Sequence, residues 1–100
     1  MKIIWTREAL NKLMEIENFI AQDSPQRAEE FVDYLIERSE VLKNNENIGR
    51  IVPELSSDSI RELLIKNYRL VYRIEKSEII ILTAFEGHRL LRRDEIYKNK

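Results

Sequence analysis

The residues best suited to chemistry in this 100-residue sequence are arginines on one stretch of alternating pattern. From Tyr68 to Ile74, the residues Tyr68, Leu70, Tyr72 and Ile74 alternate with Arg69, Val71 and Arg73. That is the two-residue period of an extended strand, whose side chains point to opposite faces in turn. If the first set packs into a core, Arg69 and Arg73 share the other, open face. A guanidinium placed there offers a planar fork that stays charged and matches the oxygens of a phosphate or a carboxylate. The bland reading is equally simple, because arginine is at home on any solvated strand face. Around this pair stand Glu54 after Pro53, Arg61, the single histidine His88, and a C-terminal cluster of Arg89, Arg92, Arg93, Lys98 and Lys100 with Tyr97 among them. Each has an ordinary alternative: a loop carboxylate, an ion pair with a helical carboxylate, a loop histidine, a solvated tail, a tyrosine packed on a sheet.

Composition removes several chemistries. There is no cysteine, hence no disulfide framework and no thiolate zinc site, and one histidine makes a structural metal site improbable. The opening Met1-Lys2-Ile3-Ile4-Trp5-Thr6-Arg7 has no apolar run of signal-peptide length. No stretch could span a bilayer, so the cytoplasm is the expected location and no membrane partner is expected. The formal charge is −1, but it is unevenly spread. Residues 1–59 carry seven Lys/Arg against twelve Asp/Glu, a balance of −5, and residues 60–100 carry ten against six, a balance of +4. Either the second half presents a basic working surface to an anionic partner, or a solvated sheet balances an acidic helical layer.

The elements that must position these residues follow in a clear order. Ile3-Ile4-Trp5 reads as a short edge strand and Thr6 as the N-cap of a helix with Leu10, Leu13, Ile16 and Ile20 at helical spacing. Ser24 caps and Pro25 opens a second helix, lined by Ala28, Phe31, Val32, Leu35, Ser39 and Leu42. A short turn between them makes an antiparallel hairpin. Residues 44–59, rich in Asn and Ser with Gly49 and Pro53, read as a loop. Then the period changes: strands Ile60–Ile65, Tyr68–Ile74 and Glu78–Phe85, joined by turns at Lys66-Asn67 and Glu75-Lys76-Ser77, make an antiparallel meander. The run Ile79-Ile80-Ile81-Leu82 suits a strand covered on both faces. The expected architecture is α+β, in the order β-α-α-β-β-β: an N-terminal strand, a helical hairpin packed on a small antiparallel sheet, and a short C-terminal tail, all in one domain over residues 1–100.

Taken in order, these pieces resemble the RelE/ParE toxin superfamily. Tyr68-Arg69-Leu70-Val71-Tyr72-Arg73 is similar to the family's central strand, and Trp5-Thr6 with Ala9 and Leu13 to its opening strand-to-helix step. Ile20-Ala21-Gln22-Asp23-Ser24-Pro25 with Ala28 and Phe31 resembles the ParE-like hairpin. Gly49-Arg50-Ile51-Val52-Pro53-Glu54 and Arg61-Glu62-Leu63 resemble the segment before the sheet. The resemblance implies a growth-inhibiting toxin of a type II toxin–antitoxin system, neutralised by a cognate antitoxin protein, needing no cofactor and no metal, and meeting DNA only through that antitoxin. Such systems are associated with plasmid stabilization.

The superfamily divides in mechanism. RelE and YoeB members are mRNA interferases, endoribonucleases that work on the ribosome. ParE members inhibit DNA gyrase without the nuclease residues. The helical half and the near-neutral charge look ParE-like; the sheet and tail look RelE/YoeB-like. Metal-independent RNA cleavage needs a base for the 2′-OH, a cation for the phosphate and an acid for the leaving oxygen. The resemblance assigns these to Glu54, Arg69 and His88, with Arg61, Arg73, Arg89, Arg92, Arg93 and Tyr97 binding RNA or phosphate. Arg89 stands where the YoeB pattern has tyrosine. The leading expectation is ribosome-associated mRNA cleavage, the alternatives being gyrase inhibition or a decayed member that only binds its antitoxin. With Arg69 and His88 on an open face, replacing either by alanine is expected to leave the fold intact.

Overall fold

The structure, a computed structural model, describes residues 1–87 and Ile96. His88, Arg89, Arg92, Arg93 and Tyr97 therefore lie outside the described residues. The elements are β1 (Lys2–Trp5), α1 (Arg7–Ala21), α2 (Pro25–Ser39), a 3₁₀ turn (Glu40–Lys43), β2 (Arg50–Ile51), β3 (Ile60–Ile65), β4 (Tyr68–Ile74) and β5 (Glu78–Glu86). They form a five-stranded sheet in the order β1-β5-β4-β3-β2. The α+β architecture matches the expectation, and the meander strands fall within a residue of their expected bounds. Two features differ. The Asn- and Ser-rich stretch contains the short edge strand β2, antiparallel to β3, and β1 joins the sheet parallel to β5. Among the described helices none is long and apolar enough to cross a membrane.

Local chemistry sets the helix starts. The Thr6 hydroxyl accepts from the Ala9 amide at 3.1 Å, and Ser24 accepts from the Arg27 amide at 3.2 Å with Pro25 opening α2. Thr6 also reaches the sheet, donating to the Ile81 carbonyl at 2.8 Å while its own amide bonds the same carbonyl. This clamp sits where β5 departs from regular pairing. Val71 pairs with Thr83 but Tyr72 pairs with Ile81, leaving Leu82 as an extra residue. The bulge reverses side-chain parity, so Ile79 and Ile81 before it and Ala84 after it all face the helices.

Two cores result, one on each side of the sheet. The larger unites Ala9, Leu13, Ile16, Leu35 and Leu42 with Leu63, Ile65, Leu70, Tyr72, Ile79, Ile81 and Ala84. Each fully buried aliphatic side chain there is worth roughly 1.5–3 kcal/mol. The smaller lies on the opposite face, where Val52 and Leu55 cover Ile60, Val71 and Phe85, with Leu82 and Ile96 packed against them. This corrects the expectation of an open outer face: the Val52–Ser59 segment is laid across it.

Candidate functional site

The outer face is where β3, β4 and the covering segment meet. Cross-strand pairing sets Leu64 opposite Arg69 and Glu62 opposite Val71 on β3 and β4, and Phe85 opposite Arg69 on β5. Directly paired residues share a face, so Glu62 and Arg69 sit diagonally on one surface. Arg69 is 4% exposed, which corrects its expected solvent-facing position. A buried guanidinium is tolerated only with charged partners and hydrogen bonds, and Arg69 has them. Its Nε donates to Glu62 Oε1 at 2.6 Å. Its Nη1 and Nη2 donate to the two carboxylate oxygens of Glu54 at 2.9 and 2.7 Å, a fork-to-fork pair. Its Cζ also stands 5.1 Å from the Phe85 ring centroid.

Glu62 is 1% exposed, and its second oxygen takes the Nε of Arg50, the first residue of β2. The result is a chain of alternating charge, Arg50–Glu62–Arg69–Glu54, running from the sheet edge through the middle of the outer face. Arg69 and Glu62 are buried, Glu54 is mostly so, and Arg50 is half exposed, so each carboxylate of the chain meets a guanidinium. The bond from Glu54 raises the Arg69 pKa above the usual arginine value; burial opposes this and Glu62 adds to it. Arg69 is thus permanently charged and held from two sides.

Of the other expected site residues, the two that the structure describes lie apart from this network. Arg73 shares the face of Arg69, as strand parity implies, but it is partly exposed and paired with Glu75 two residues on. Arg61 lies on the opposite side of the sheet, its pairing partner Tyr72 belonging to the helix-facing core. Its Nη1 donates to the Gly49 carbonyl at 3.0 Å. The structure therefore joins Glu54 with Arg69, sets Arg73 on the same face in an ion pair with Glu75, and places Arg61 on the other face.

Two partners of the network, Glu62 and Arg50, escaped the sequence reading. One signal was available: Ile60, Glu62 and Leu64 share a strand face, and a carboxylate there would need a counter-charge if that face were covered.

A second polar fixture holds the edge. Tyr72, fully buried, accepts from the Gly49 amide at 3.0 Å and donates to the Glu46 carbonyl at 2.7 Å. Desolvation raises its pKa above the usual tyrosine value, with the Gly49 bond and nearby Arg61 opposing that rise and Glu46 adding to it. Gly49 is required here by close approach. A Cβ would stand 2.6 Å from both the Glu62 carbonyl oxygen and the Tyr72 hydroxyl.

The model of the family described as the ParE toxin of type II toxin–antitoxin system, parDE, matches residues 3–91. The chain belongs to this ParE toxin family. Among solved structures, one described as the chromosomal ParDE TA system from P. aeruginosa superposes with a TM-score of 0.73 at 25% identity, over 86% of this chain and 95% of that chain. None of the curated proteins compared with the chain matches it.

Proposed function

We propose that this chain is the toxin of a ParDE-type pair, held inactive by a cognate antitoxin in the cytoplasm, and that it stops growth by binding DNA gyrase rather than by cutting mRNA. The observation that carries the reading is the Glu54–Arg69 pair. A general base must reach the 2′-OH of a substrate, and a phosphate-binding arginine must turn its fork to the phosphate. Here the two side chains expected to do this satisfy each other at 2.7 and 2.9 Å, with Arg69 buried. In this reading both are structural residues that pin the 52–59 segment to the sheet. Membership of the ParE family and the near-neutral net charge support the same branch. A ribosome-bound nuclease is expected to be strongly basic, because phosphate contacts dominate affinity for nucleic acid. Contact with the target is assigned to the basic tail, where Arg89, Arg92, Arg93, Lys98 and Lys100 concentrate charge.

Induction of the chain alone in cells tests the proposal. DNA breaks and an SOS response with intact mRNA are the expected outcome. Prompt cleavage of translated mRNA without DNA damage would return the catalytic roles to Glu54, Arg69 and His88. A chain that is harmless without its antitoxin would leave the decayed-member reading.

A further inference from the structure

We draw no further inference here: the strongest candidate, the aromatic-lined groove between the helical hairpin and the β3–β4 turn, walled by Ile20, Phe31, Tyr34, Lys66 and Tyr68, is an unpartnered surface of mixed charge, and nothing in the structure shows what covers it.

Discussion

Replacing Arg69 by alanine would leave Glu62, 1% exposed, with the half-exposed Arg50 as its remaining counter-charge among the described residues, and would remove the fork-to-fork pair that ties Glu54 to the sheet. The intact network is not itself strong evidence of net stabilisation, because desolvating Arg69, Glu62 and most of Glu54 offsets much of their attraction. Removing one partner is different: an uncompensated buried charge remains, at a cost of about 3–5 kcal/mol. A domain of this size has roughly 5–15 kcal/mol in total. At ~4–8 °C per kcal/mol for domains of up to 100 residues, Tm should fall by ~12 °C or more. Glu54 is partly exposed and Glu54→Gln keeps its shape, so the expected loss is smaller, about 1.5–3 kcal/mol for a charge-assisted bond. Replacing the buried charges together, as Arg69→Met with Glu54→Leu and Glu62→Leu, should recover most of the loss, since Arg50 can turn to solvent. Thermal and urea unfolding followed by circular dichroism reads all of these. An Arg69→Ala variant within ~1 kcal/mol of wild type would show that the network does not hold the fold and return Arg69 to the role of a structurally expendable, functional arginine.

Three substitutions probe the second fixture and the helix start. Tyr72→Phe should cost about 1–3 kcal/mol, because the Gly49 amide and Glu46 carbonyl lose their partner, and hydrogen exchange should rise over residues 46–51 with little change in β4. The same phenol makes stability pH-dependent: its folded pKa lies above the ordinary value of 10.0, so its contribution is complete below that pH and declines as pH rises through the folded value. Tyr72→Phe should flatten this alkaline decline, and an unchanged profile would count against the buried phenol. Gly49→Ala should destabilise the edge, because a backbone carbonyl stands in the way and cannot turn aside as a flexible side chain would; a neutral result in urea unfolding would show that the close approach is wrong. Thr6→Ala removes a helix cap and a tie to the β5 bulge at once. Its expected cost is about 1–3 kcal/mol, above the ~1 kcal/mol typical of a cap alone, and Thr6→Ser should restore most of it.

The local elements were legible because their signals are local. Alternation gave the meander strands, Ser24-Pro25 opened α2, and Thr6 capped α1. β2 was hidden because two residues carry no period; it is held by Gly49 and the Tyr72 hydroxyl, partners far along the chain. The parallel pairing of β1 with β5 is likewise a long-range fact that Ile3-Ile4-Trp5 cannot express. The site misled for a physical reason. On a strand, an ion-paired buried arginine and a solvated one give the same alternation, so Arg69 and Arg73 read alike. What separates them is their partners: Arg69 is buried between Glu62 and Glu54, the latter carried by a Pro- and Ser-rich segment that looks like surface loop, whereas Arg73 stays partly exposed beside Glu75.

Purified components distinguish gyrase from ribosome-bound mRNA as the target. DNA supercoiling by gyrase and cleavage of ribosome-bound mRNA should be assayed side by side with the wild-type chain and a His88→Ala variant. Both proteins should block supercoiling to the same extent and leave mRNA whole. Cleavage of mRNA by wild type that is lost in His88→Ala, with supercoiling unaffected, would contradict gyrase as the target.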